Sequence, residues 1–168
     1  MNRTPLLRFL CCLFALAMLA ACGTNIAEKA MEKAIEDETG GSADVDVRAD
    51  GSMEVTTEEG TFQTGNSMPE DWPKDVPVYA GATVQFSGTA SPENGQRGSA
   101  VVLVTADSAT DVAAFYKETL KENGWTVQST MEAQGTIIFS AEKDDRVFSF
   151  LTTTAEGMTT ITMGVAKK

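Results

Sequence analysis

Between Val76 and Lys168 only one stretch has helical periodicity, and strand-like segments flank it on both sides. In that stretch Val112, Phe115, Tyr116 and Leu120 form one apolar stripe, opened by the capping-box-like Ser108-Ala109-Thr110-Asp111. Before it, Ala82, Val84 and Phe86 alternate with Thr83, Gln85 and Ser87, and the segment from Ala100 to Thr105 is rich in valine. After it come four strand-like runs, from Val127 to Met131, Thr136 to Ala141, Val147 to Thr152 and Thr159 to Val165. Gly135, Asp144-Asp145 and Glu156-Gly157 supply the turns between them. Parallel strands need crossover connections, usually helical, and a single helix cannot supply them all. The order ββαββββ therefore predicts an antiparallel sheet with the helix packed on one face. Gly124 fits the left-handed position after the helix, which sets Trp125 to contact Leu120 in a Schellman cap. The other face of the sheet is expected to carry Thr152, Thr154, Thr160 and Thr162, either solvated or meeting the N-terminal part.

Upstream, Ile26, Ala27, Ala30, Met31, Ala34 and Ile35 recur at three-to-four spacing, and Gly40-Gly41 ends the pattern. The opposite face stacks Glu28, Glu32 and Glu36 as a like-charge row, partly offset by Lys29 and Lys33. This helix is expected to pack onto the strands that follow, or to self-associate near a membrane. Val45 and Val47 alternate with acids, Asp50-Gly51 and Glu59-Gly60 make turns, and Met53, Val55 and Phe62 supply further apolar positions. Residues 43–64 thus read as a three-stranded meander. Residues 66–75 form a proline-punctuated linker in which Trp72 is expected to dock into a groove on the next domain, or else to stand exposed as a recognition residue. The whole reads as an α+β chain: a signal at 1–21, a helix and meander at 22–65, the linker at 66–75, and an α+β domain at 76–168.

The N-terminus joins Arg3 and Arg8, an uncharged apolar run from Phe9 to Met18, and the small residues Ala20 and Ala21. That is the layout of a secretory signal. The apolar stretch is shorter than the roughly 20 residues a spanning helix needs. Leu19-Ala20-Ala21-Cys22 resembles the lipobox of bacterial lipoprotein precursors. The resemblance implies cleavage before Cys22, a diacylglycerol thioether on its sulfur, and a palmitate-type acyl group on the new N-terminus. It also implies an envelope location, at the periplasmic side of the outer membrane in a two-membrane cell, since Gly23 replaces the aspartate that favours inner-membrane retention. Val76-Pro77-Val78-Tyr79-Ala80-Gly81-Ala82, with Phe115-Tyr116-Lys117, Leu120 and Gly124-Trp125, is similar to a pattern in uncharacterised bacterial lipoproteins and exported proteins. No activity follows from it.

Several chemistries fail on composition. The chain contains no histidine, so serine–histidine and cysteine–histidine pairs and histidine-ligated metals are excluded. The lipobox resemblance implies that Cys11 and Cys12 leave with the signal and that Cys22 carries the lipid, which would leave the mature chain no disulfide or thiol nucleophile. A formal charge of −11 argues against nucleic acid. An EF-hand register from Asp46 fails at Arg48 and Thr57. The pairs Glu58-Glu59, Glu70-Asp71 and Asp144-Asp145 sit beside turns, where charge is solvated. Ser140-Ala141-Glu142-Lys143 matches a Ser-x-x-Lys spacing, but i and i+3 of a strand point to opposite faces.

The expectation is a lipid-anchored envelope protein with a non-catalytic binding or structural role. It has no catalytic, metal or cofactor residues, and Cys22 alone is a site. Residues 22–75 hold 14 acids against 4 bases, which would attract a cationic envelope protein or ligand. Two alternatives remain open: a binder of a small apolar ligand held between helix and sheet, and a histidine-free hydrolase.

Overall fold

The computed structural model describes residues 24–65, 67–90 and 97–168. The signal segment 1–21 and the lipid-attachment residue Cys22 lie outside the described residues. The elements run α1 (Thr24–Thr39), β1 (Ala43–Val47), β2 (Met53–Thr57), β3 (Gly60–Thr64), β4 (Thr83–Ala90) and β5 (Gly98–Thr105). They continue with α2 (Ala109–Glu122), β6 (Thr126–Ala133), β7 (Thr136–Lys143), β8 (Arg146–Ala155) and β9 (Met158–Lys167). The fold is α+β, and among the described residues the strands form one nine-stranded antiparallel sheet in the order β1-β2-β3-β4-β5-β9-β8-β7-β6. Pairing of β3 with β4, Phe62 opposite Gly88, joins the meander directly to the rest of the sheet across the linker.

The core forms where α2 lies on one face of the sheet. The α2 residues Val112, Ala113, Tyr116 and Leu120 are buried against Leu103, Phe139, Phe148, Phe150, Ile161 and Met163. Strand alternation puts all six on the same face. The aromatic rings of Phe139 and Phe150 stack at 4.4 Å, and Tyr116 lies 5.3 Å from Phe150. Ser108 opens α2 by accepting from the Asp111 amide. Its other end is a full Schellman motif: the Gly124 amide donates to Lys121 O, and the Trp125 amide to Leu120 O, with Gly124 at φ +83°. Trp125 is buried and joins the core.

Thr152, expected on the far face, is fully buried on the α2 side, because its alternation partners are Phe148 and Phe150. Thr154 shares its parity, whereas Thr160 and Thr162 do point away from α2. The acidic row of α1 also differs from expectation. Glu28, Glu32 and Glu36 face the sheet edge and accept from the backbone amides of Val47, Val45 and Ala43, at 3.2, 3.3 and 3.4 Å. An edge strand presents unpaired N–H groups at every second residue, and carboxylates four residues apart on a helix match that ladder. Ala27, Met31 and Ile35 are half-buried beside these acids, while Ala30 and Ala34 are exposed.

Candidate functional site

The linker is held by a charged clamp. Asp75 accepts from Arg146 Nη1 and Nη2 at 3.0 and 2.7 Å and from Lys143 Nζ at 2.7 Å. Lys143 also donates to Asn123 O, and the Asn123 side chain donates to Asp75 O, so the clamp closes over the α2 cap. Arg146 lies over the Trp125 ring at 4.8 Å. The Arg146 hydrogen bonds, reinforced by Lys143, hold the Asp75 carboxyl well below the usual carboxylate range, against the opposing effect of burial. Further along, Trp72 packs against the core and donates from Nε1 to Val76 O at 2.8 Å, while Asp71 accepts from Ser99 Oγ. These contacts are positional. Lys143 is committed to the clamp on the α2 side, whereas Ser140 pairs with Ser129 Oγ at 3.0 Å on the other face. The Ser-x-x-Lys spacing therefore brings no nucleophile to a base. Asp50, read against a calcium loop, instead accepts from the Ser52 amide and hydroxyl, closing its own turn.

The side chains between α2 and the sheet fill that space, with Tyr116, Leu120, Phe139, Phe148 and Phe150 all essentially inaccessible. Burial disfavours ionisation of the Tyr116 hydroxyl, which accepts from the Tyr79 amide at 3.0 Å, and pushes its pKa above the usual tyrosine value. The expected location of an apolar ligand, between helix and sheet, is thus occupied by the core itself.

An apolar groove lies on the opposite face. It holds about 270 Å³ and is lined by Phe62, Phe86, Ala90, Ala100, Val147, Ser149 and Ala166 over the glycines Gly88, Gly98 and Gly164. One cross-strand row runs straight through it, from Phe62 to Gly88, Ala100, Gly164 and Ser149. The glycines make the floor. A Cβ on Gly88 would stand 2.7 Å from Phe62 Cδ1, and one on Gly164 would stand 3.0 Å from Ser149 Oγ. Phe62 can lie against the strand because its partner has no side chain. Phe86, two residues before Gly88, stacks on Phe62 at 6.1 Å and extends the wall. A bulge between Val84 and Phe86 bends β4 here. Ser149 is the polar side chain at the far end, with a long contact of 3.4 Å to Gly164 O.

Neither periodicity nor any motif in the sequence singles out these residues, although glycines inside strand patterns at 88, 98 and 164 are the signal that marks a close approach. Among the described residues, no cluster of three or more His, Cys, Asp or Glu could hold a metal ion, and no helix is long and apolar enough to cross a membrane.

A START domain-like family model matches residues 84–162, the span from β4 into β9 that includes α2 and much of the groove floor. The match covers just under half of the chain. No curated protein and no solved structure gives a significant match.

Proposed function

We propose that this chain is a non-catalytic binding protein that takes a slender apolar ligand in the groove on the open face of its sheet. The groove itself carries the reading: an apolar depression with a glycine floor, two stacked phenylalanines on one side and the Ser149 hydroxyl at the other end. Sites for drug-sized molecules usually measure about 300–1,000 Å³, so this groove suits an acyl chain or a flat ring system better than a bulky ligand. The similarity of residues 84–162 to START domain-like proteins supports a ligand-binding fold. A lining of apolar and hydroxyl side chains with no carboxylate or cation favours binding by burial over acid–base chemistry, which needs converging titratable groups.

The proposal includes the anchor. Acylation at Cys22 would hold the protein in the cell envelope, on the periplasmic side of the outer membrane in a two-membrane cell. The lipobox-like Leu19-Ala20-Ala21-Cys22 supports it, and α1 begins two residues later, at Thr24. Two acyl signals suffice for stable membrane attachment.

A fluorescent acyl-chain probe titrated into the purified protein tests the binding. Saturable binding is expected, and Gly164→Leu, whose Cβ would press only on the Ser149 hydroxyl and whose side chain would stand on the groove floor, should abolish it. Equal binding by Gly164→Leu would refute the site. Mass spectrometry of the mature N-terminus tests the anchor; a free thiol at Cys22 would refute it.

A further inference from the structure

The two edges of the sheet are treated differently. At one, the α1 carboxylates occupy the free amides of β1. At the other, no strand or helix among the described residues pairs with the outer side of β6: seven of its eight residues are exposed, and Glu132 is its only charge. Edge strands are usually protected by lysine, proline or a covering element. A bulge between Val127 and Ser129 distorts only the start of β6. The Gln134-Gly135 turn, at φ 50° and 77°, closes the pair Ala133–Thr136. In a two-residue hairpin of this kind the closing pair is hydrogen-bonded, so Ala133, Met131 and Ser129 bond to β7 while Thr130 and Glu132 turn their backbone groups outward. Met131 is 64% exposed and lies directly opposite Ile138, itself 43% exposed, on the face away from α2.

We propose that β6 is a self-pairing surface: two copies of this chain join antiparallel along β6 about a two-fold axis through Met131. That register puts the two Met131 side chains opposite each other and sets the outward groups of Thr130 against those of Glu132 in the partner. An apolar row Leu151, Ile138, Met131 then continues unbroken through the axis into its symmetry mates. Charge agrees with it. Lys117 holds its ammonium 5.6 Å from the Phe139 ring centre, and Phe139 lies opposite Thr130. In the pairing, the partner's Glu132 comes to the far side of Thr130, about 10 Å of sheet from Phe139, within reach of two long side chains. No like charges face each other directly. The axis is perpendicular to the sheet, so both open grooves face the same way.

Sedimentation equilibrium of the purified protein over a range of concentrations tests the pairing. A reversible shift to the dimer mass is expected. Met131→Lys sets two ammonium groups on the axis and should weaken association by more than about ten-fold, since like charges in an interface cost over 1.4 kcal/mol. Glu132→Lys should weaken it too, by facing Lys117. Both positions are exposed, so the fold should be unaffected, as circular dichroism would register. Oxidative cross-linking fixes the register independently. Met131→Cys should form a disulfide-linked dimer, with Cα atoms about 4.5 Å apart across the axis, whereas Ser129→Cys, about 13 Å from its mate, should not. A monomer at every concentration, or a dimer indifferent to Met131→Lys, would overturn the proposal. Equal cross-linking by Ser129→Cys would overturn the register and with it the proposal.

Discussion

Replacing Asp75 with alanine removes the acceptor of three charge-assisted hydrogen bonds, two from Arg146 and one from Lys143. The expected cost follows from what the two cations retain. Both are about three-quarters covered, so the site lies between an exposed pair, worth about 0–1 kcal/mol, and a fully buried one, whose breakage costs about 3–5 kcal/mol. Lys143 keeps its bond to Asn123 O and Arg146 keeps its stack on Trp125, which offsets part of the loss. A net destabilisation of about 2 kcal/mol is expected, which lowers Tm by about 4–8 °C in a chain of this size. The pH dependence gives a second check. Asp75 is held below its ordinary range in the folded state, so its contribution is complete above the unfolded carboxylate value near 4. That contribution falls away as the pH drops below this value toward the depressed folded one. Urea denaturation of both proteins at pH 7 and at pH 3 should therefore show the gap between them narrowing in acid. A variant as stable as the parent at pH 7, or a gap of equal size at pH 3, would refute the clamp.

Gly124→Val should destabilise the fold by about 1–3 kcal/mol, because a β-branched residue is strained at φ +83°; an unchanged denaturation midpoint would contradict this. Glu32→Ala should leave the Val45 amide without its acceptor and speed its hydrogen exchange about five-fold, as expected for about 1 kcal/mol, while the α2 amides keep their protection. Phe62→Ala should weaken binding of the acyl probe by removing one groove wall while leaving α2 and its core in place; fluorescence titration with thermal denaturation separates the two effects.

What the sequence makes legible is local. The stripe Val112, Tyr116, Leu120 identifies its own buried face, and Gly124-Trp125 specifies its cap within a few residues, so both follow from neighbouring side chains alone. The glutamate row reads differently in sequence and in structure for a physical reason. Like charges at four-residue spacing look solvated until an unpaired strand edge is known to run beside them, and that edge exists only once β1 has no partner beyond β2. The position of Thr152 is obscured similarly, since a run of three threonines hides the parity that Phe148 and Phe150 impose. The groove depends on pairing across the linker. Phe62 meets Gly88 only because β3 joins β4, a contact between segments 26 residues apart that no local pattern encodes. Its glycines can be flagged from sequence as close-approach positions, but not assigned to one another.

An apolar ligand is expected to lie on the sheet face away from α2. Backbone amide resonances followed by NMR while a medium-chain fatty acid is titrated into the protein test it most directly. Saturable shifts should cluster at Gly88, Gly98, Ala100 and Gly164, with Ala113, Tyr116 and Leu120 of α2 unmoved. Shifts concentrated along α2 would place the ligand against the core instead, and an absence of saturable shifts at the three glycines would contradict the account.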